Sequence, residues 1–545
     1  MVLVYIIVAN FLCFSISADE DNHFDDVPMN HWSERYIEDL RVLGITDGVG
    51  NNTYGFGRPL TREAFVAFLG KLNDWKLIRP ETGSFIDNTD RTSWSYSFIE
   101  TALMKGIIED VNEFRPKDMI TREEMAVMII NSLGYKNLAE NRSDYESPFD
   151  DVTLNAGYIS MLKDFGIVTG KSEVIFDPYG NATREEAAAI LMRMYDRLNA
   201  TLDETNAFYA VQSNNQRDLM ASFDTISFGW SQLSASNYND LGGPEISLST
   251  HYPSGYQGPI EEAKANGNRI RLSIYADDMN AESSVLGVLS VLMKYEDKQA
   301  SLIDAIIDEL NGDIGFDGVV IDFESLRGDD NRVQFVGFLR KLSQELDVYN
   351  KSLTVMVHPS ENYDGYDYAN IVEIADEMIV MAHDYNAKYL NKEEMAMGYS
   401  ITPVAPINSV YTALADIKAS VDNQLMDRIS LQLSFSAAQW VKNPDGTIKN
   451  SKRYNPLYSD INSRLLEADT RIDYGITTSN PYATFVSNGL ENILWYEDSR
   501  SIEEKIKLAK MFGIQDISIW RLGNIPNYPD GNSKEVYMDT MILFE

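Results

Sequence analysis

Along the chain the spacing of apolar residues changes character near residue 200. Before that point three segments carry apolar residues at helical intervals: "YIEDLRVLGITDG", "FIETALMKGIIED" and "YISMLKDFGIVTG". After it, short runs rich in β-branched and aromatic residues alternate with longer amphipathic ones. "FYAVQ", "TISFGW", "IRLSIYA", "GVVIDFE", "LTVMVHP", "MIVMAH", "ISLQLSF" and "ISIWRLG" predict eight strands. "KQASLIDAIIDEL", "RVQFVGFLRKLSQEL", "NIVEIAD" and "SIEEKIKLAKMFG" predict helices between them. Alternation of this kind predicts a parallel sheet covered by helices. Eight strands over 205–545 predict that the sheet closes into a (β/α)8 TIM barrel. The polar stretch "NATLDETNAFYAV" places the boundary near Thr201.

The first part is a triplication. "FDDVPMNHW", "FIDNTDRTSW" and "FDDVTLNAGY" open three units at Phe24, Phe85 and Phe149. Each unit runs through its helix to a loop that ends in Thr-Arg-Glu, at Thr61, Thr121 and Thr183. A recurrence of this length and internal order predicts an all-α module of three helical repeats, at 24–83, 84–145 and 148–199. Thr121 with Glu124, and Thr183 with Glu186, fit the capping box that starts a helix. Capping explains the Thr and the Glu but not the Arg. Arg62, Arg122 and Arg184 fall in first helical turns, where the macrodipole disfavours a cation. An anionic partner is expected for them, either an internal carboxylate or an acidic ligand.

These units resemble S-layer homology domains, which share the Phe-x-Asp-Val opening, the Gly-Ile turn and the Thr-Arg-Glu helix start. The resemblance covers Phe24 to Leu198. It implies a module that holds a bacterial surface protein to acidic secondary cell-wall polymers, with Arg62, Arg122 and Arg184 on the polymer's pyruvylated sugar and Trp32 and Trp94 beside them. The third opening departs from the pattern, with Tyr158 in the tryptophan's place, which implies a weaker pocket or a structural one.

Charge and composition narrow the partners. There are 46 Lys+Arg against 83 Asp+Glu, a formal net charge of −37, which argues against nucleic acid. Val2 to Phe14 is apolar but short for a bilayer, and Ser15 and Ser17 follow it, so a signal peptide over 1–18 is expected rather than a buried strand. Its positive n-region is missing, the first basic residue being Arg35. The single cysteine, Cys13, lies in that leader, which leaves no disulfide or thiol chemistry for the mature chain. Five histidines show no ligand spacing, and no metal, cofactor or membrane span is expected.

The barrel half carries the chemistry. "GFDGVVIDFESL" is an apolar strand ending in Asp322 and Glu324. Residues two apart on a strand share a face, so both acids point one way at the end of the fourth strand, with Ile321 and Phe323 turned toward the helices. Carboxylates converging at a barrel mouth let one ionise while the other keeps a proton. Capping a helix or pairing with Arg327 is the alternative.

Asp317, Gly318, Ile321, Asp322, Phe323 and Glu324 resemble the signature of glycoside-hydrolase family 18. "MAHDYN" is similar to a later strand end of that family. "ILWYEDSRSIEEKIKLAKMFGIQDISIWRLG" is similar to the closing helix and strand of its bacterial cell-wall and spore-cortex branch. The resemblance implies substrate-assisted hydrolysis, with Glu324 as the acid and the sugar's own acetamido oxygen as the nucleophile. Asp322 would orient the acetamido group, Asp384, His383 and Asp317 would line the substrate site, and Trp520 would floor it unless it is plain core packing. Two positions depart: Val320 stands where the family has an acid beneath Asp322, and His383 where it has a tyrosine. The expected protein is an exported, wall-anchored glycosidase acting on N-acetylglucosamine linkages, in peptidoglycan ahead of chitin. A catalytically weak sugar-binding protein is the alternative that Val320 and His383 keep open, and a structural S-layer component is a third.

Overall fold

Each Thr-Arg-Glu triplet opens a helix, as its capping pattern requires. The structure, a computed structural model, describes residues 23–142, 147–236, 245–278, 287–361, 363–398, 402–529 and 534–544. The expected leader over 1–18, with Cys13, lies outside them. The chain divides into two compact units, Met1–Gly134 with Ile175–Tyr195, and Tyr135–Val174 with Asp196–Glu545. The division passes through the third repeat.

The triplet helices are Arg62–Leu72 and Arg122–Ser132, within the first unit, and Arg184–Leu198, which starts in it. Thr61 Oγ accepts from the Ala64 N–H, and Thr121 with Glu124 forms the full reciprocal box. The residues just before the triplets join in a closed cycle of backbone hydrogen bonds. Ile120 N–H donates to the Leu60 carbonyl at 2.9 Å, Ala182 N–H to Ile120 at 3.0 Å, and Leu60 N–H to Ala182 at 3.0 Å. Three sequence repeats thus become one threefold-like ring rather than three beads. The Gly-Ile turns behave alike: Gly44, Gly106 and, in the second unit, Gly166 all take φ +69°, a conformation only glycine adopts freely, and the following Ile is buried.

In the second unit the eight predicted strands are all present: β1 Thr205–Tyr209, β2 Thr225–Ser236, β3 Arg269–Asp277, β4 Gly318–Glu324, β5 Ser352–Val357, β6 Glu377–Val380, β7 Ile429–Ser434 and β8 Asp516–Trp520. Each pairs in parallel with its neighbour, and β1 pairs with both β2 and β8, so the barrel is closed. Side-chain alternation sorts the residues as expected. Val320 points into the barrel among Phe208, Met356, Ile379 and Met381, with Trp520 packed on that cluster. Phe323 points outward against Phe335 and Phe338 of the helix Asp329–Val348, with ring centroids 6.0 and 5.9 Å away.

Two additions were not read from the sequence. Glu245–Thr250 pairs antiparallel with the end of β2. Between β7 and β8 stands an antiparallel sheet of Ala438–Lys442, Arg471–Gly475, Asn480–Ser487 and Leu490–Trp495. Its tightest hairpin turns at Asn488 and Gly489, both at positive φ (51° and 76°), the Asn-Gly turn that favours hairpins. Among the described residues no helix is long and apolar enough to cross a membrane.

Candidate active site

The C-terminal ends of β2, β3, β4 and β8 surround a cavity of about 490 Å³. Its lining includes Trp230, Gln232, Ser273, Tyr275, Asp322 and Trp520. Register explains the grouping. Tyr275 pairs with Asp322 and Ser273 with Val320 across β3 and β4, so these side chains share the inner face. Asp322 is 4% exposed, and its Oδ1 has no hydrogen-bond partner. Trp230 Nε1 and Ser231 Oγ, also at the cavity, are buried and unpartnered too. Buried polar groups left in this state are costly unless a ligand satisfies them. Burial, then the charges of Glu324 and Asp277, push the Asp322 carboxyl well above the usual carboxylate range. The same causes, burial first and then Glu324, Asp277 and Asp322, raise the Tyr275 phenol.

Glu324 ends β4 and is partly exposed. It does not pair with Arg327, whose guanidinium lies 4.9 Å over the Tyr363 ring. His383 Nε2 and Gln432 Oε1 are 2.7 Å apart, and His383 Nδ1 is 3.5 Å from Asp384 Oδ2. Arg453 holds Asp384 Oδ1 at 3.1 Å. Burial works against charge on His383, yet Asp384 and Gln432 raise its pKa above the ordinary value. Burial likewise opposes charge on Asp384, but His383, then Lys388 and Arg453, hold its carboxyl well below the usual range. Trp520 packs at a tilt on Phe208, with ring centroids 5.4 Å apart, and also lines the cavity.

The structure therefore brings Asp322, Glu324 and Trp520 to the barrel mouth, with Asp384 and His383 linked to Glu324 through its charge on the imidazole. It does not bring Asp317 there. Asp317 precedes β4 at the opposite end, where Oδ2 accepts from the Ile270 N–H at 2.8 Å, so its place is in strand closure. Tyr275, Trp230, His358, Gln432 and Arg453 were not named from the sequence. Tyr275 and His358 were legible, since both sit at inward positions near strand ends.

Asp317 shares the N-terminal end with a second charged cleft that holds Glu204, Arg271, Glu377 and Asp516. Arg271 and Glu377 pair directly there. Burial, then Glu377 and Glu204, raise Asp516 to about 7. An unfolded aspartate titrates near pH 3.9. Between these values the folded chain keeps a proton that the unfolded chain has released, so this group's contribution to stability falls as pH rises from about 4 to 7 and is flat above. Asp516→Asn stays neutral. Urea midpoints at pH 5 and pH 8 should lie closer together in this variant than in the wild type.

In the helical unit the three arginines differ. Each Nε donates to a loop carbonyl: Arg62 to Phe114, Arg122 to Phe176 and Arg184 to Tyr54, at 2.9, 2.8 and 2.8 Å. Each guanidinium also lies over that aromatic ring, at 4.8, 4.7 and 4.8 Å. Arg62 pairs with Glu124 at 2.5 Å and Arg122 with Glu186 at 3.3 Å. The corresponding residue for Arg184 is Ala64, and among the described residues Arg184 meets no carboxylate at ion-pair distance. The internal-carboxylate alternative thus holds for two of the three. Trp32 and Trp94 are 54% and 56% exposed, whereas Tyr158 is buried, which separates the third opening from the others. His23, Glu34 and Glu38 also bring ligand atoms within 4.8 Å of one another, a grouping their spacing did not announce.

Comparison with known proteins gives two family matches. A model of glycosyl hydrolases family 18 matches residues 195–524, and one of the S-layer homology domain matches 23–66, 89–126 and 148–188. A cortical fragment-lytic enzyme of Bacillus anthracis is 28% identical over 282 residues, covering 49% of this chain and 60% of that one. An amylopullulanase of Thermoanaerobacterium thermosulfurigenes is 33% identical over 186 residues, 32% of this chain and 10% of that one. The chain thus spans less than two thirds of either relative. The spore cortex-lytic enzyme SleL of Bacillus cereus superposes with TM-score 0.49 at 19% identity, over 63% of this chain and 73% of that one.

Proposed function

The chain belongs to the glycosyl hydrolases of family 18, and from that premise we propose that it is a wall-bound glycosidase. Its substrate is an N-acetylglucosamine polymer, peptidoglycan ahead of chitin, and its mechanism is retaining and substrate-assisted. The observation that carries this is the pairing of a buried, unpartnered Asp322 Oδ1 with a partly exposed Glu324 on one face of β4. Glu324 gives its proton to the glycosidic oxygen as the acetamido oxygen attacks C1, forming an oxazolinium ion. Asp322 Oδ1, which has no partner of its own, accepts from the acetamido N–H and orients the group. Water then opens the ring, returning a proton to Glu324. Peptidoglycan is preferred because the S-layer homology domains suit wall attachment and because one relative is a cortical fragment-lytic enzyme. Digesting purified peptidoglycan and chitin side by side, with product masses, tests the reading. Release of fragments with reducing-end N-acetylglucosamine from peptidoglycan supports it, and release from chitin alone reverses the preference. The sugar-binding alternative is favoured only by Val320 and His383, and cleavage of neither polymer would leave it standing.

For the wall polymer, the position that supports contact is Arg184. Arg62 and Arg122 spend their charge on Glu124 and Glu186. Arg184 is 8% exposed, backed by Tyr54, and bordered by Gly55, where an added Cβ would come within 3.2 Å of its Cδ. A charge-assisted bond to a polymer carboxylate contributes about 1.5–3 kcal/mol, which is about tenfold or more in affinity. Arg184→Ala should therefore lose about tenfold or more in sedimentation with purified walls. Arg62→Ala should lose stability instead, with wall binding nearly unchanged. Equal losses from both would return the arginines to equivalent roles.

A further inference from the structure

Glu324 has a neighbour that the reaction scheme leaves unused. In the register of β4 and β5, Val320 faces Thr354 and Ile321 faces Val355, so His358 continues β5 level with Glu324. His358 Nε2 lies 3.6 Å from Glu324 Oε2. That nitrogen is buried and makes no hydrogen bond. Aromatic rings flank it: Tyr363 packs at a tilt with its centroid 4.4 Å from the imidazole's, and Tyr366 stands at 6.2 Å. Tyr366 is itself anchored, its hydroxyl donating to the Phe323 carbonyl at 2.7 Å. Tyr368 donates to the His358 carbonyl at 2.6 Å, which fixes the strand end. The titratable and charged groups around the ring are thus Glu324 on β4 and Tyr363, Tyr366 and Tyr368 on the segment after β5. Arg327 lies on the Tyr363 ring. Among these, Glu324 is the one carboxylate.

We propose that His358 is a positioning residue for Glu324: its Nε2, otherwise unpartnered, closes on Oε2 when substrate is bound and orients the carboxyl. The inference rests on Glu324 being the general acid. A carboxyl held through one oxygen presents the other to the glycosidic bond, and alignment of the reacting groups is a large part of rate.

Two readouts on the full chain test this. The first needs no activity. With five histidines in the sequence, labelled imidazole signals can be followed one by one, and the signal lost in His358→Gln identifies the residue. In Glu324→Ala its ring-nitrogen signals should move at one fixed pH, because Oε2 is the polar atom that faces Nε2. Unmoved signals overturn the pairing. The second is the split of kcat from KM on a fluorogenic N-acetylglucosamine oligosaccharide. His358→Leu should lose about tenfold or more in kcat with KM within about twofold, and His358→Gln, which can still hydrogen-bond, should recover most of it. Equal losses from both variants overturn the positioning role, since lost packing alone would do that. If the wild type hydrolyses nothing while the ring signals still move, the hydrolase reading falls and His358's part in catalysis falls with it, leaving only a contact.

Discussion

Glu324→Gln should lose about two to four orders of magnitude in kcat while still binding sugar. The amide keeps the size of the side chain and its hydrogen bonding but cannot deliver a proton, and general acid catalysis supplies typically 10²–10⁴-fold. The placement of the residue makes the effect separable from folding. Glu324 is the last residue of β4, partly exposed, and contacts His358 at 3.6 Å rather than a structural cation. The neutral amide also removes one of the like charges that push Asp322 upward, so thermal stability should not fall. Initial rates on peptidoglycan fragments, with binding followed by calorimetry, separate the two quantities. A variant with more than about a tenth of wild-type rate would remove Glu324 from the role of general acid.

Val320→Asp should have the largest effect on stability. The resemblance to family 18 casts this change as the return of a missing acid, but the surroundings set its cost. Val320 is fully buried among Phe208, Met356, Ile379 and Met381, with Trp520 against them. Moving a carboxyl into such a cluster costs about 2–7 kcal/mol unless it is hydrogen-bonded. One partner is within the strand's own pattern, the unpartnered Oδ1 of Asp322 two residues on. The introduced acid should therefore fold protonated and donate to that oxygen. Its folded pKa then lies above its unfolded one, and the destabilisation grows as pH rises. Melting temperatures at pH 5 and pH 8 should both drop, and the drop should be larger at pH 8. Val320→Asn, which does not titrate, should show equal drops. A Val320→Asp variant as stable as wild type at pH 8 would mean that the cluster around residue 320 is not dry.

Much of this was legible in the sequence, for identifiable reasons. All eight barrel strands were readable because buried parallel strands are continuous apolar runs set apart by amphipathic helices. The inner-face placement of Asp322 and Glu324 followed from the period of a strand. The triplication was readable from the Thr-Arg-Glu triplets, and the ring of backbone bonds among Leu60, Ile120 and Ala182 was not, because it joins residues far apart in the chain. Asp317 was misplaced because a contiguous motif suggests a contiguous site, whereas a seven-residue strand carries its first and last residues to opposite ends of the barrel. Arg62 and Arg122 looked like Arg184 because their partners, Glu124 and Glu186, lie in the next repeat. The substitution that sets Arg184 apart, Ala64, was visible but had no meaning until the ring closed. His358 was passed over because its histidine spacing was read for metal ligands rather than its position at a strand end. The sheet between β7 and β8 is signalled in the sequence only by the Asn-Gly turn of "SNGLENILWY", because its short strands do not alternate with helices as the barrel's do.

The central claim is that this barrel cleaves N-acetylglucosamine glycosides with Glu324 as acid and the sugar's acetamido group as nucleophile. Proton NMR of the first turnovers of wild-type chain on a soluble peptidoglycan or chitin oligosaccharide tests it most directly. Double displacement through the oxazolinium ion predicts that the β-anomer of the new reducing-end N-acetylglucosamine appears first and then mutarotates. Initial appearance of the α-anomer, or the absence of any new reducing end from either glycan, would contradict the account.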